Sequence, residues 1–491
     1  MENSNTIQLL AKTYSDNLQT LLNQMFYQLI LQTMFLFAVI ALQLNTSQLL
    51  SAEQPSRPNI VMILADDQSY RDFGFMGNTL VHTPHLDQLA AKSARFPNGY
   101  VPMSVCRPSL ATLLTGLYPH QHGIHFNHPP PGLKQMQEMT AEEYRATRAK
   151  AEHLIRDVPS LPRLLTDIGY VSFQAGKHWE GDFQNAGFTH GMTTGLPADI
   201  SDAIHGTREQ KNGEWVAHGN GDAGLVIGRT TMQPVTDFIA KNAESPFFLW
   251  YAPFLPHTPF DAPQEFYDCY ADRDVPDYLL PYYAEIARFD DTVGQLLNCL
   301  DQHNLREQTM IVFVSDNGFR PDASGKPKQD SRSKLSSDED GLRTPILLNW
   351  PGVILPAEFS QLVQSIDLIP TILDSVGLSE KVTSQMQGRN LLPAVTGSAE
   401  LPDRPAFGAI YPNDADVLGK PELHARGVWV RAGNYKLILP GNGKQRLSPA
   451  LYDLQSDPEE NQNLIHNPDY LPQKTQLTQL LKEWWPAGFH H

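Results

Sequence analysis

The chain has 491 residues, with 37 Lys and Arg against 54 Asp and Glu and a formal net charge of −17. That balance speaks against a nucleic-acid binder with a broad basic face, and 41% apolar with 19% charged residues is the composition of a globular chain, not a disordered one. The length allows roughly two to four domains and a large core without staples. Three cysteines, Cys106, Cys269 and Cys299, exclude a disulfide framework. Cys269 and Cys299 read as small buried hydrophobes.

Residues 17–52 carry no charge, and 25–44 are mostly apolar, followed by a small, polar run. This predicts an export signal cleaved near Ala52, taking the protein to the periplasm or outside the cell. The alternative is an uncleaved membrane anchor, with Gln28, Gln32 and Gln43 weakening the span.

Beyond Arg57, short apolar runs alternate with amphipathic stretches. Residues 59–64 (NIVMIL) predict a buried strand. Thr83 and Pro84 suit the cap and first position of a helix in which Leu86, Leu89 and Ala90 share a face. Residues 129–157 read as an inserted loop and a solvated helix. Further strand candidates are 170–175, 247–254, 310–314 and 346–350, and 324–340 reads as a long polar loop. Residues 365–376 predict a covering helix interrupted or started by Pro370. Near residue 395 the alternation fades. Residues 428–439 then predict two strands turned at Ala432-Gly433-Asn434, and 474–485 a terminal helix.

The expected fold is therefore α/β: a large, mostly parallel sheet sandwiched by helices, plus a smaller C-terminal α+β subdomain with an antiparallel sheet. The expected divisions are 1–52 for the signal or anchor, 53–395 for a catalytic domain and 396–491 for the C-terminal subdomain.

The polar residues that follow each strand carry the functional information. Residues 59–64 lead into Asp66-Asp67, 310–315 into Asp316-Asn317, 170–176 into Lys177-His178, and 247–256 into His257. In open parallel sheets, ligands sit beyond the carboxyl ends of the strands. Two aspartates and an Asp-Asn pair make a hard oxygen set suited to Ca²⁺ or Mg²⁺. Taken singly, each pair equally suits a turn or a helix cap. Lys177, Lys334 and His257 are cation candidates for an oxyanion, although a lone lysine is ordinarily a solvated charge. His82, His85, His120, His122, His125 and His128 crowd one region without zinc-ligand spacing. In Cys106-Arg-Pro-Ser-Leu-Ala-Thr-Leu-Leu-Thr-Gly116, Pro108 suits a first helical position and Gly116 a helix end. Cys106 then sits just before a helix N-terminus, where the dipole favours negative charge.

With Cys-x-Pro-Ser and Leu-Thr-Gly at 106–116, RPNIVMILADD before it, FVSDNG far downstream and LYDLQSDPEENQNL at 451–464, the chain resembles the type I sulfatases of the alkaline phosphatase superfamily. The resemblance runs from about Arg57 to the C-terminus. It implies an alkaline-phosphatase-like fold and a sulfuric ester hydrolase in which a maturation enzyme oxidises Cys106 to formylglycine. Asp66, Asp67, Asp316 and Asn317 would hold one Ca²⁺ together with that residue. One oxygen of the hydrated aldehyde attacks sulfur and the alcohol leaves; the second hydroxyl then loses its proton, and sulfate is expelled as the aldehyde reforms. Lys177, Lys334 and His257 would neutralise sulfate oxygens, and His257 or Lys334 would protonate the leaving oxygen. The family also implies a sulfated carbohydrate or other sulfated small molecule as substrate, and polysaccharide degradation as the setting. No nucleic acid is expected, and a membrane only through the N-terminal segment.

Two positions depart from the family pattern. The fifth core residue, usually arginine, is Leu110, which offers neither donor nor charge. The usual Gly-Lys-Trp-His is here Gly176-Lys177-His178-Trp179, which moves the imidazole of His178 next to the lysine. Two alternatives stay open: a zinc phosphatase or phosphodiesterase of the same superfamily, and a catalytically silent glycan-binding relative that does not mature because of Leu110.

Overall fold

The computed structural model describes residues 57–198, 206–325 and 329–489, with ten helical positions between 18 and 33. The expected export segment otherwise lies outside the described residues, and no described helix is long and apolar enough to cross a membrane.

Eight strands form the main sheet: β1 (Asn59–Ala65), β2 (Ala94–Phe96), β3 (Val171–Gly176), β4 (His190–Gly191), β5 (Phe247–Ala252), β6 (Thr309–Ser315), β7 (Ile346–Asn349) and β8 (Ala357–Glu358). Their spatial order is β8-β2-β7-β6-β1-β5-β3-β4. β1 lies parallel between β6 and β5, with Ile60 opposite both Met310 and Phe248. β3 continues the parallel set, and β7 runs antiparallel to both neighbours. All seven residues of β1 are buried because both faces of the sheet are covered. Ile60, Met62 and Leu64 face one layer, with α2 (Cys106–Thr115) and α6 (Leu368–Ser375). Val61, Ile63 and Ala65 face the other, with α1 (Pro84–Ala91), α4 (Gln233–Lys241) and α5 (Leu280–Gln302). The two-residue side-chain period of a strand thus sorts one continuous apolar run into two cores.

Several expectations are refined. The helix opened by Pro84 stops at Ala91, and residues 94–96 are strand, with Ala94 and Phe96 buried and Arg95 between them less so. Thr83 makes no cap to its helix; its hydroxyl accepts from Gly74 N–H at 3.0 Å and donates to Asp87 at 3.1 Å. The inserted helix α3 (Ala141–Glu152) starts at a Thr140–Glu143 capping box, but it is not solvated all round. Ala141, Tyr144, Arg148 and Ala151 are buried along one face. Pro370 falls inside the first turn of α6, directly after a 3₁₀ turn at Ser365–Asp367. Cys269 is partly exposed, Cys299 is buried, and all three thiols are free.

A second, antiparallel sheet runs β9 (Ala406–Ile410), β10 (Gly427–Ala432), β11 (Tyr435–Pro440) and β12 (Ala450–Asp453). β10 and β11 form the expected hairpin, with Ala432 opposite Tyr435. Leu477 and Leu481 of α7 (Leu471–Trp484) pack on this sheet with Trp429 and Leu437. The sheet is tied to the chain just after Lys334 by a buried ion cluster. Lys436 Nζ lies 3.1 Å from Glu339 Oε1 and also pairs with Glu460; Arg431 lies 3.3 Å from the other Glu339 oxygen. Removing one partner of such a set leaves buried charge uncompensated. Lys436→Ala is expected to lower unfolding stability by about 3–5 kcal/mol, read from urea titrations. A loss under about 1 kcal/mol, the size of an exposed pair, would contradict the load assigned to this cluster.

Candidate active site

The four neighbouring parallel strands β6, β1, β5 and β3 end at one edge of the sheet. Asp316 follows β6 directly, Asp66 follows β1 and Lys177 follows β3. His257 lies in the loop after β5, and Lys334 is brought in by the polar loop before Glu339. Asp67 adopts the left-handed conformation, with φ 63°. At Gly176 a Cβ would stand 2.0 Å from the Ala252 carbonyl oxygen, the oxygen to which Lys177 N–H donates at 2.6 Å. Only glycine lets β3 approach β5 closely enough to aim Lys177. Gly318 plays the same part after Asn317, where a Cβ would stand 1.9 Å from the Asp340 oxygen.

Cys106 is the first residue of α2, with Val105 as N-cap, so Pro108 occupies the third helical position rather than the first. Pro is tolerated there because the first-turn N–H groups have no intrahelical partner. The Cys106 thiol points at Asp66 Oδ1 across 3.9 Å. Lys177 Nζ donates to the same oxygen at 2.5 Å and lies 3.6 Å from Asp316 Oδ2. Lys334 Nζ donates to Asp67 Oδ2 at 2.8 Å, and His257 Nε2 stands 3.4 Å from that oxygen. Asn317 Nδ2 donates to Asp67 Oδ1 at 2.7 Å, and Asp67 N–H donates to Asp316 Oδ1 at 3.1 Å. Eight of the nine residues singled out in the sequence therefore meet in one cluster. His178 stands apart. Its ring lies edge-on to Phe188 with centroids 6.0 Å apart, its backbone N–H donates to the Asn220 carbonyl, and no hydrogen bond of its own reaches the carboxylates.

The charges in this cluster are set by burial and by each other. Burial pushes Asp66 up to about 6, with Lys177 opposing. Burial would raise Asp67 too, but Lys334, His257 and Lys177 together hold it at about 2. Burial raises Asp316, and pushes the Cys106 thiol up to about 12. His257 is pushed down to about 4 by burial. Burial alone would lower both lysines; Asp66 raises Lys177 above its ordinary value, and Asp67 does the same for Lys334.

Three buried oxygens here, Asp66 Oδ2, Asp316 Oδ2 and Asn317 Oδ1, accept no hydrogen bond. Buried acceptors are costly to leave unsatisfied. Asp66, Asp67, Cys106 and His257 each offer an atom within 4.8 Å of all the others. Carboxylate and amide oxygens left open at one point are the donor set of a hard cation, so these residues fit a metal.

Nothing local in the chain points to the frame behind His257. Arg229 donates to the carbonyls of Phe254 (2.8 Å), His257 (2.6 Å) and Pro259 (3.2 Å), and to Asp261. The Phe254 ring stacks on His257 with centroids 4.2 Å apart. Arg107, next to the thiol, is committed to a buried bidentate pair with Glu180 at 2.9 and 2.8 Å, and Leu110 is buried in the core. A cavity of about 580 Å³ opens beside Asp67, His257 and Lys334, walled by Phe260, Tyr278 and Phe319.

Residues 58–378 match the Sulfatase family model, and residues 333–485 match that of the N-sulphoglucosamine sulphohydrolase C-terminal region. The chain is 30% identical to human (Homo sapiens) arylsulfatase A, over 87% of this chain and 87% of that protein. It is 30% identical to the N-acetylgalactosamine-6-sulfatase of Canis lupus familiaris, over 78% of this chain and 75% of that protein. Its fold also resembles that of a Pseudoalteromonas sulfatase structure, with a TM-score of 0.64 and 18% identity over 90% of this chain and 93% of that one. The chain belongs to the sulfatase family and is a sulfuric ester hydrolase.

Proposed function

We propose that the protein cleaves a sulfate ester on a sulfated carbohydrate, using a formylglycine made from Cys106 and one Ca²⁺ held by Asp66, Asp67, Asp316 and Asn317. The observation that carries this reading is the placement of Cys106 at the first turn of α2, facing Asp66, with two lysines and the open oxygens around it. The substrate class is supported by the N-acetylgalactosamine-6-sulfatase relatives and by an ulvan-active sulfatase, 24% identical over 88% of this chain.

When both groups are in place, the hydrated aldehyde supplies the oxygen nucleophile and the cation neutralises charge on sulfate and nucleophile. The chain's own residues supply the rest. Lys177, fixed between Asp66 and Asp316, presents a permanent positive charge where negative charge builds on the sulfate oxygens. Lys334 does the same from the Asp67 side and borders the cleft. His257 Nδ1–H donates to the Thr258 carbonyl at 2.7 Å, which leaves Nε2 facing Asp67. Lys334, kept protonated beside Asp67, is the group placed to hand a proton to the departing oxygen, and His257 Nε2 does so only in the imidazolium form. His178 takes no part in this scheme. Cys106 is 1% exposed, so its oxidation precedes folding. The exported chain would then fold as a catalytic domain from residue 53 to 395 and a subdomain from 396 to 491, whose buried ion cluster braces the Lys334 loop.

Lys177→Ala is expected to lower kcat by about 10²–10³-fold, the usual cost of removing one oxyanion-stabilising donor. A kcat within threefold of wild type would remove Lys177 from the mechanism. Cys106→Ala is expected to abolish turnover while leaving the unfolding transition nearly unmoved; wild-type rates from that variant would contradict the reading. Asp316→Ala is expected to lose metal affinity and activity together, measured by calorimetric Ca²⁺ titration beside turnover. Full Ca²⁺ affinity in the variant would contradict the assigned ligand set.

A further inference from the structure

Beside the catalytic cluster lies a second group of buried polar side chains that the proposed mechanism does not use. The rings of His128, Trp179 and His218 gather with centroids 5.6–6.0 Å apart, and the Arg148 guanidinium stands over Trp179 at 6.0 Å. His128, Trp179 and Arg148 are 5%, 5% and 3% exposed. The group is anchored to the catalytic residues on both sides. Trp179 follows Lys177 by two residues, which places their Cα atoms within about 8 Å. On the other side, the N–H of Arg107, next to Cys106, donates at 3.1 Å to the side chain of Asn127, the neighbour of His128.

Hydrogen-bond accounting defines what this group is made to meet. Arg148 spends Nε on Glu152 at 2.9 Å and Nη2 on the Gly219 carbonyl at 3.4 Å, and its Nη1 finds no partner. Trp179 Nε1 and Arg208 Nε also find none, nor does His128 Nδ1. Three of these four atoms are donors only and cannot satisfy one another. Charge points the same way. Arg107 is matched by Glu180 and Arg148 by Glu152, whereas Arg208 forms no ion pair among the described residues. Asp222, the other carboxylate acting on Arg148, is pushed up to about 7 by burial. Burial, with Arg148, Arg208 and Arg107 nearby, pushes His128 down to about 3. The ring is therefore neutral at ordinary pH and adds no charge. What remains is a set of buried donors without partners beside Arg208, which no carboxylate among the described residues pairs, although Asp222 Oδ1 near Arg148 is also an unpartnered acceptor. The matching ligand is rich in acceptors and negatively charged.

We propose that Arg148, Arg208, Trp179 and His128 form a subsite for a second anionic substituent on the substrate, a carboxylate or another sulfate, beside the ester cleaved at Cys106. This rests on the sulfatase reading of the Cys106 site and narrows its substrate class to sugars carrying two negative charges.

The test compares three substrates bearing the same sulfate ester: a neutral monosulfated sugar, its disaccharide with a uronic acid, and its disulfated form. Wild-type kcat/KM is expected to be at least tenfold higher for one of the two anionic substrates than for the neutral one. Which of them gains identifies carboxylate or sulfate as the occupant. Arg208→Gln, at a partly exposed position, is expected to shrink that ratio at least fivefold, mainly through KM. Trp179→Phe, which keeps an aromatic ring but removes the indole N–H together with the five-membered ring, is expected to shrink it in the same direction. Equal kcat/KM for all three substrates, or variants that lower all three alike, would overturn the subsite. Turnover of 4-nitrophenyl sulfate by the matured enzyme reports the Cys106 site separately. The same ligands titrated into Cys106→Ala protein report the subsite without turnover, and equal affinities there would also overturn it.

Discussion

The site depends on one constraint: three carboxylates are buried at the mouth of a parallel sheet, and two lysines must sit among them. Asp66, Asp67 and Asp316 are each no more than 3% exposed. Isolated buried carboxylates would take up protons or cost several kcal/mol each. Lys177 and Lys334 offset part of that cost, each from a different strand or loop. The compensation is incomplete, because oxygens of Asp66, Asp316 and Asn317 remain without a hydrogen bond. A bound cation would complete the balance. In the proposed reaction the same lysines would hold positive charge where a sulfate oxygen arrives, so charge balance in the resting site and stabilisation of the reacting group would be one arrangement.

Much of the remaining structure serves to hold that arrangement still. The parallel register puts the ends of β6, β1, β5 and β3 side by side. Gly176 and Gly318 allow backbone approaches that any side chain would block. Arg229 gathers three carbonyls of the loop bearing His257. The C-terminal sheet reaches the site through Lys436, whose bond to Glu339 lies five residues beyond Lys334.

The parts of this that were legible in the sequence are those written locally. Residues 59–65 form an unbroken apolar run ending in two aspartates, and a strand buried on both faces can be read directly from such a run. The run at 309–315 ending in Asp316-Asn317 is equally plain. Position at a strand end is a strong clue because parallel neighbours share one exit edge. Lys334 is harder, since nothing local separates it from a solvated lysine; the family resemblance gives that candidate its weight. His178 was the least secure candidate, because exchanging two adjacent residues in a loop changes which side chain faces the site, and the ring turned inward onto Phe188. The long-range partners were illegible. Arg229 meets His257 across 28 residues and Lys436 meets Glu339 across 97, and no periodicity records such pairings. The α3 helix reads as solvated because its charges outnumber its apolar residues. Arg148 is nonetheless buried, because its charge is met by Glu152 one turn away.

The central claim is that Cys106 is the precursor of the nucleophile even though Leu110 stands where the family has arginine. Mass spectrometry of the tryptic peptide spanning residues 96–134, from protein purified from its native host, tests it most directly, because the Arg107-Pro108 bond resists trypsin and keeps Cys106 within that peptide. The account predicts an aldehyde in place of the thiol at Cys106. An unmodified thiol in protein that turns over sulfate esters would contradict it.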